Sequence, residues 1–267
     1  MRNIVVQSYR NDAPEWLQRC MQSVRQWTQS QGYDYLFVDD RLFAYVPSHI
    51  RANPPSSILP LTDLARLGLL KEQLAKGYDR AIWIDADVLV FRPEQFRIPE
   101  GKGAMLCHEV WTHIDSKDVV QHQTRVNNAV MVFERGHPLL DFLHHAALEL
   151  FSHIAPERMH PWTIGTEFFT NLSRLYPVYL LTQVACLSPL LIDALCAGKQ
   201  PELLRDHAKH FGHPFHAANL CRSSTTDNSQ GTDAHTPWPA PATKMEWAVE
   251  ILSARSKTST RPERSQN

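Results

Sequence analysis

Two carboxylates stand one residue apart inside an apolar stretch that runs from residue 81 to residue 91. Asp85 and Asp87 follow four apolar residues, which predict a buried strand. Burying an unpaired acid costs several kcal/mol, and in an extended chain these two side chains point the same way. A divalent cation bound to both acids and to the phosphates of a ligand would neutralise them, since carboxylate oxygens suit Mg²⁺ and Mn²⁺. The alternative is a strand that ends at Ile84 and leaves both acids in a solvated turn.

An acid and a base lie three residues apart in the segment that precedes this strand. Residues 61–74 repeat apolar side chains at helical spacing, and Thr62 or Asp63 could cap the start of that helix. Asp63 and Arg66 therefore share one face. They form either a surface ion pair worth a few tenths of a kcal/mol, or the part of the helix that faces the same ligand as the two aspartates.

Four further polar residues are candidates for ligand contact. Asn128, preceded by Asn127, heads an apolar strand, and amide groups both donate to and accept from sugar hydroxyls. Glu167 stands in the first turn of a predicted helix, either as a base for an acceptor or as an acid favoured by the helix dipole. Gln7 and Asp39 follow strands, where each is either a ligand contact or an ordinary polar loop residue.

Histidines recur every three residues late in the chain. Gly212 and Pro214 interrupt any helix there, so we expect a loop. A histidine on a loop near the strand ends could complete a metal site, and we select His213 as the candidate ligand. The choice among the four stays open: His207, His210, His213 and His216.

The order of strands and helices predicts how these residues come together. A strand at residues 4–8, a helix that starts after Pro14 and a strand at residues 33–38 form a β-α-β unit. This order favours an α/β fold with a mostly parallel central sheet flanked by helices, in which ligands collect at the carboxyl ends of strands. We expect one domain over residues 1–222. A Ser/Thr/Pro-rich loop or linker over 223–243 and a short helix with a mobile tail over 244–267 would follow it.

The composition narrows the range of functions. The net charge of -1 gives no basic field for nucleic acid. No window of about 18 apolar residues predicts a transmembrane helix, and the start of the chain is too poor in apolar residues for a secretory signal. The 5 cysteines lack the spacing of metal or redox motifs, so we interpret them as reduced thiols of a cytoplasmic protein.

Several blocks of the sequence follow one another in a recognisable order. Residues 62–66, Gly77 and residues 83–88 are similar to a helix with Asp and Arg that leads into an Asp-x-Asp strand. Residues 128–131 and 136–138 are similar to an Asn-headed strand followed by a Gly-His-Pro turn.

Two later blocks extend the similarity. Residues 165–170 are similar to a Gly-Pro-x-x-x-Thr block and residues 210–212 to a late His-Phe block. With these blocks the chain resembles the DXD-motif glycosyltransferases of family thirty-two, and it shares features with family eight. It departs from the family pattern at Thr166, where proline is usual, and before the Asp-x-Asp strand, where Gly77 stands alone instead of Gly-Gly.

The resemblance implies a GT-A fold, which is Rossmann-like, with a nucleotide-sugar donor and a divalent metal (Mn²⁺ or Mg²⁺). It also implies transfer with retention at the anomeric carbon. By position, Asp85 would contact the ribose and the metal, and Asp87 the metal. The other donor contacts that it implies are Asp63 and Arg66 at the sugar and diphosphate, Asn128 at the sugar, and Gln7 and Tyr9 near the base.

We therefore expect a metal-dependent retaining glycosyltransferase that moves a hexose, with a UDP-sugar as the preferred donor, to a saccharide or glycolipid acceptor. A metal held by Asp87 would stabilise the leaving diphosphate as a Lewis acid, and Arg66 would add a bidentate clamp. The sequence offers no obvious nucleophile for double displacement, so front-face attack guided by the leaving phosphate is favoured. Glu167 is the alternative base or nucleophile.

The acceptor is not readable from the sequence. Our hypothesis is a cytoplasmic bacterial enzyme of lipopolysaccharide, capsule or glycolipid synthesis, in peripheral contact with the inner face of the membrane. Three other interpretations compete with it. They are a non-catalytic nucleotide-sugar or carbohydrate-binding protein on the same fold, an Asp-x-Asp phosphatase, and a structural protein with solvated acids. The phosphatase requires Gly-Thr after the second Asp, where this chain has Val88 and Leu89.

Overall fold

The strands of the computed structural model form two sheets. The structure describes residues 1–198, 201–212, 214–222 and 241–258, and side chains are described in these ranges except at 241–243 and 255–258. The strands are β1 Asn3–Ser8, β2 Asp34–Val38, β3 Arg80–Ile84, β4 Val88–Val90, β5 Ala104–Ile114, β6 Val120–Glu134, β7 Tyr179–Leu181, β8 Val184–Cys186 and β9 Ala217–Asn219.

Helices connect most of these strands. The α-helices are α1 Glu15–Ser30, α2 Ser48–Ala52, α3 Leu59–Ala75, α4 Leu139–His153, α5 Thr166–Ser173, α6 Pro189–Ala197, α7 Pro201–Lys209 and α8 Pro241–Thr258. Short 3₁₀ helices cover Asp40–Tyr45 and Pro156–Arg158. No helix in the described part of the chain is long and apolar enough to cross a membrane.

The main sheet has six strands in the order β2-β1-β3-β6-β5-β7. β1 pairs in parallel with β2 and β3, and β5 pairs in parallel with β7. β6 is antiparallel to both of its neighbours, so the other five strands run in one direction. The α/β class with a mostly parallel sheet flanked by helices, expected from the sequence, is confirmed.

Both faces of the main sheet are covered, which explains the continuous apolar run before Asp85. Successive side chains of a strand point to opposite faces. Ala81 and Trp83 of β3 join the core beneath α3 and α4, whereas Ile82 and Ile84 join the core on the other face. A strand buried on both sides needs apolar residues at every position.

The second sheet, in the order β4-β9-β8, extends the fold beside α1, α6 and α8. β9 pairs antiparallel to β4, and Leu89 lies opposite Ala218. This pairing brings the segment after β9 next to the turn after β3. The five cysteines form no disulfide, and the sulfur atoms of Cys186 and Cys221 lie 3.2 Å apart.

The sequence misplaced the start of α3 and did not predict the outer part of the hairpin formed by β5 and β6. α3 begins at Leu59, before both predicted caps, because Pro60 fits the first helical turn, where its missing N–H costs nothing. Asp63 therefore lies inside the helix, and Thr62 donates its hydroxyl to the Ile58 carbonyl at 3.1 Å. Residues 112–124, which showed no clear pattern, form the outer arms of a long β5–β6 hairpin.

The end of the chain is described only in part. α8 starts at Pro241, three residues earlier than the helix expected from residue 244. Residues 223–240, where we predicted a linker, and 259–267, where we predicted a mobile tail, lie outside the described residues. The division of the chain at residues 222 and 243 stays a prediction.

Candidate active site

A tight turn after β3 carries both aspartates. The Asp85 amide donates to the Ala129 carbonyl at 2.7 Å, and the Val88 amide donates to the Asp85 carbonyl at 3.1 Å. The extended arrangement of the two acids is therefore wrong, because β3 ends at Ile84. The alternative is right that the strand ends at Ile84, and the Asp85 side chain in the following turn is 25% exposed where the turn borders a cavity.

A buried ion-pair network joins α3 to this turn. Arg66 lies 3.2 Å from the Asp63 carboxylate and 3.1 Å from the Asp85 carboxylate. The Asn128 side-chain amide donates to Asp63 at 2.8 Å, and the Asn128 carbonyl accepts from Arg66 at 3.2 Å. The Trp83 indole donates to Asp85 at 2.6 Å. Asp63 and Arg66 are 7% and 6% exposed, which excludes a surface ion pair.

Burial shapes the acidity of these carboxyl groups. It raises the pKa of Asp63 to about 6, although the Arg66 charge and the Asn128 hydrogen bond oppose the shift. Burial, and then the nearby charge of Asp85, raise the pKa of Asp87 to about 6. Burial also raises the pKa of Asp85, against the opposing effect of Arg66. The protein alone therefore leaves these acids short of positive charge.

The segment after β9 holds Asp87 in place. The Arg222 amide donates to the Asp87 carboxylate at 2.8 Å, and the Leu220 amide donates to the Asp87 carbonyl at 3.1 Å. Between them, Cys221 adopts a left-handed backbone with φ of 48°, and its amide donates to the Asn219 side chain at 2.9 Å. Asp87 is thus fixed by a part of the chain more than a hundred residues away in sequence.

A cavity of about 700 Å³ opens over this network, within the size range of small-molecule sites. Its floor lies beyond the end of β3. Ile84, the last residue of β3, pairs with Val130, and β6 runs in the opposite direction, so Asn128, two residues before Val130, lies past the end of β3. One wall comes from the β5–β6 hairpin and another from α5 and the loop before it. The charged residues lining it are Asp63, Asp85, Asp87, Glu109 and Glu167, with Arg66 and Arg125.

The structure brings most of the sequence-predicted site residues together. Six of them line the cavity: Asp63, Arg66, Asp85, Asp87, Asn128 and Glu167. Glu167 lies in the first turn of α5, where its amide donates to the Trp162 carbonyl at 3.2 Å. The helix begins with Thr166, and Gly165 occupies the N-cap position.

Three predicted donor contacts do not line the cavity. Gln7 is fully buried, donates to the Asp85 carbonyl at 3.1 Å and accepts from Tyr35 at 3.0 Å, so it supports the turn from below. The Arg222 guanidinium lies over the ring of Tyr9, with its central carbon 5.3 Å from the ring centre. Asp39 caps a 3₁₀ helix, and hydrogen bonds from Arg41 lower its pKa.

The late histidines divide between several places. His207 belongs to α7, so the predicted loop is wrong for this residue, and its ring lies 3.1 Å from the Thr112 hydroxyl. His210 stacks near His122, with ring centres 4.6 Å apart, and His216 lies 3.0 Å from the Gln183 side chain. These three do not line the cavity. The candidate metal ligand His213 lies outside the described residues.

Sequence reasoning missed the polar side chains that the hairpin contributes. Asn127 donates to the Glu109 carboxylate at 2.8 Å, and Arg125 lies 3.9 Å from the same group. Burial raises the pKa of Glu109. The available signal was an acid within the apolar strand β5, but its partner on β6 becomes visible only once the register pairs Glu109 with Arg125.

The donor set at the turn fits a hard divalent cation. In the described part of the chain, no group of three or more His, Cys, Asp or Glu side chains is arranged to hold a metal ion. Asp85 and Asp87 therefore offer a pair of carboxylates and not a closed cage. Mg²⁺ is commonly bound in this way, by one or two carboxylates together with water and substrate phosphates. The excess of acids over Arg66 and Arg125 in the cavity lining supports the same fit.

The solved structures that the chain resembles include several glycosyltransferases. No protein-family model matches the sequence, and no curated protein matches it. A glycosyltransferase involved in glycosylation of the major capsid of PBCV-1 matches in structure with a TM-score of 0.50 at 11% identity. That match covers 93% of this chain and 98% of the other. At this identity the likeness shows the fold alone, and the expected GT-A type of fold is confirmed.

Two further structural matches are weaker. The PaToxG glycosyltransferase matches with a TM-score of 0.42 at 12% identity, over 95% of this chain and 87% of the other. A mutant of Drosophila β1,4-galactosyltransferase 7, in complex with manganese, UDP-Gal and xylobiose, matches with a TM-score of 0.30 at 11% identity. This last match covers 60% of this chain and 66% of the other.

Proposed function

We propose that the protein is a metal-dependent retaining glycosyltransferase that moves a hexose from a nucleotide-sugar donor, preferably a UDP-sugar, to a saccharide or glycolipid acceptor. The observation that carries the proposal is the convergence of Asp85 and Asp87 with Asp63, Arg66 and Asn128 in one cavity beyond the end of β3. Ligands of open α/β sheets bind at such strand ends.

The two aspartates of the turn would hold Mn²⁺ or Mg²⁺ together with the donor diphosphate. The ion would act as a Lewis acid that stabilises the negative charge on the leaving phosphate. Gln7 and Trp83 fix the Asp85 backbone and side chain, and the Arg222 amide fixes the Asp87 carboxylate. The protein thus positions both carboxylates before the ligand arrives, which lowers the cost of organising the site.

The network on α3 would bind the sugar. Asp63 accepts and Asn128 both donates and accepts, so the pair suits the hydroxyl groups of a hexose. Arg66 pairs with Asp63 and Asp85, opposes the rise in the pKa of both acids, and would add positive charge beside the diphosphate. We retain its proposed role as a phosphate clamp on this basis.

Transfer breaks the bond between the anomeric carbon and the phosphate oxygen and forms a bond from the acceptor hydroxyl oxygen to that carbon. In front-face attack the hydroxyl proton passes to the leaving phosphate, and the configuration is retained. Glu167 is the alternative proton acceptor or nucleophile, because it lines the same cavity. Our further proposals are a role in bacterial surface polysaccharide synthesis and a cytoplasmic location at the inner membrane face.

The test is a donor screen with two matched variants. UDP-glucose, UDP-galactose and GDP-mannose are incubated with Mn²⁺, and nucleotide release is measured for the wild type, Asp87→Asn and Asp118→Asn. Asp118 is an exposed acid in the tip of the β5–β6 hairpin, with φ of 59°, which asparagine also tolerates. We expect turnover of one donor, a loss of about 100-fold or more in Asp87→Asn, and wild-type rates in Asp118→Asn.

Two results would count against the proposal. Undiminished turnover in Asp87→Asn would remove the metal site from the mechanism. Binding of a nucleotide sugar without hydrolysis or transfer would instead favour the non-catalytic binding protein. Misfolding is not expected to obscure the comparison, since burial disfavours the charged form of Asp87 and asparagine has the same shape without the charge.

A further inference from the structure

The loop before α5 presents an exposed aromatic surface to the cavity. Trp162 lines the cavity, yet it is 47% exposed. Its ring meets His160 edge to face, with ring centres 4.6 Å apart. Large aromatic side chains left open beside a polar cleft commonly mark a binding surface.

The surface is held in a defined position. The Thr163 amide donates to the His160 carbonyl at 3.0 Å, and the Glu167 amide donates to the Trp162 carbonyl at 3.2 Å. These bonds tie the loop to the first turn of α5. The aromatic pair is therefore part of the cavity wall, on a loop that backbone hydrogen bonds hold in place.

Polar groups that suit sugar hydroxyls surround the aromatic pair. Thr166, Glu167 and Asn171 of α5 line the same cavity, and β6 adds Gln123. A pyranose ring has one or both faces formed by C–H groups and an edge formed by hydroxyls. It can lie with a C–H face on an indole while its hydroxyls bond to neighbouring carboxylate, amide and hydroxyl groups.

The aromatic surface also lies close to the proposed donor-sugar site. Gly165, three residues after Trp162, packs so closely on Asp63 that an added Cβ would stand 2.8 Å from the carboxylate. Trp162 and Gly165 line the same cavity as Asp63 and Asn128. This is the placement that a second sugar, positioned to attack the first, requires.

We propose that Trp162, supported by His160, is the platform on which the acceptor saccharide stacks, and that the acceptor residue is a neutral hexose. The role of the platform in binding an acceptor rests on the proposed glycosyltransferase function. Sugar binding by the platform is a separate property and is measured separately. The platform positions the acceptor and takes no part in the bond changes.

Binding is tested without turnover, by following the indole N–H signals of the protein in NMR spectra. The probes are methyl β-glucoside, methyl β-galactoside and methyl α-mannoside at millimolar concentrations. Trp162→Phe assigns the signal of interest. Trp247 on α8 is the internal reference, because it is 48% exposed and does not line the cavity. We expect at least one glycoside to shift the Trp162 signal while the Trp247 signal stays in place.

The second measurement uses transfer to the glycoside that binds. Trp162→Ala should raise the KM for the glycoside about tenfold, with Trp162→Phe in between and Trp247→Ala unchanged. Nucleotide-sugar hydrolysis in water should stay at the wild-type rate in Trp247→Ala, because Trp247 does not line the cavity. An absence of both hydrolysis and transfer in the wild type would overturn the proposed function but leave the NMR result standing.

The platform itself fails under two outcomes. In the first, no glycoside shifts the Trp162 signal although the wild type turns over its donor. In the second, anionic lipid vesicles shift that signal and the glycosides do not, which would assign the surface to membrane contact.

Discussion

At the scale of single residues, the candidate site depends on where buried charge is compensated. Arg66 forms ion pairs with Asp63 and Asp85, and the Asn128 side chain donates a hydrogen bond to Asp63. Asp87 has a backbone amide and a neighbouring negative charge, and its pKa is raised to about 6 as a result of burial and that charge. An added cation would therefore offset the repulsion between the Asp85 and Asp87 carboxylates.

Gly165 tests how tightly Asp63 must be held. A Cβ at this position would lie 2.8 Å from the Asp63 carboxylate and 3.6 Å from the Asn128 amide, so Gly165→Ala must displace the acid. We expect kcat/KM for transfer to fall about 10- to 100-fold, since small misplacements of positioning groups cost that much. Steady-state kinetics with the preferred donor provide the measurement.

The comparison variant is Gly68→Ala, which adds a Cβ 3.2 Å from Tyr45 on the part of α3 away from the cavity. It shares the overpacking, which costs about 1–3 kcal/mol of unfolding free energy, but not the contact with Asp63. Equal kinetic losses in the two variants would show that Gly165 acts through stability alone.

Residue type alone predicted the acids that interrupt an apolar run, because burial of charge needs an explanation wherever it occurs. Asp85 and Asp87 stand out for this reason, and Asp63 with Arg66 follow from helical spacing. Glu109 did not stand out, since its partners Asn127 and Arg125 come from another strand. Cross-strand pairs depend on register, which a single sequence leaves open.

At the scale of elements, α7 is attached to the β5–β6 hairpin through histidines. His207 of α7 is 1% exposed and its ring contacts the Thr112 hydroxyl, which also lies 2.9 Å from His122. Burial, followed by the nearby histidines, lowers the pKa of His207 to about 3. The packing of α7 therefore requires the neutral form of this imidazole.

This requirement predicts a loss of stability in mild acid. Histidine in an unfolded chain has a pKa near 6.5. Below that pH, His207 becomes protonated in the unfolded chain but stays neutral in the folded protein. The free energy of unfolding should be level above pH 6.5 and fall below it, by about 2 kcal/mol at pH 5 from this residue. Urea unfolding of the wild type and His207→Gln at pH 7.5 and pH 5 measures the difference.

His207→Gln should lose that part of the acid sensitivity, whereas His145→Gln, at an exposed position on α4, should keep it. The same pH slope in the wild type and His207→Gln would contradict the account of α7. The predicted window closes near pH 3, where the folded protein also binds the proton.

Helices and strands were predictable where apolar residues recur at a single regular spacing. β1, α1, β2 and β3 follow directly from apolar periodicity and from turn residues such as Gly32. The outer β5–β6 hairpin was not predicted, because residues 112–124 are polar and exposed along much of their length. Its stability comes from pairing between the two strands, which leaves little trace in hydrophobic pattern.

At the scale of the whole molecule, the fold joins distant parts of the chain around one cavity. The turn after β3, the middle of β6, the loop before α5 and the segment after β9 all border it. The order of elements predicted the α/β sheet and its ligand-binding edge. The β4-β9-β8 sheet, which brings Leu220 and Arg222 to Asp87, depends on three-residue strands too short to recognise in sequence.

The central claim is that Asp85 and Asp87 bind a divalent cation together with a nucleoside diphosphate. Isothermal titration calorimetry with UDP and GDP, with Mn²⁺ and then with excess EDTA, tests it directly. The account predicts that one nucleotide binds the wild type only when Mn²⁺ is present. Asp87→Asn should lose this Mn²⁺-dependent binding, and Asp118→Asn should retain it. Equal affinity with and without Mn²⁺, or wild-type binding by Asp87→Asn, would contradict the claim.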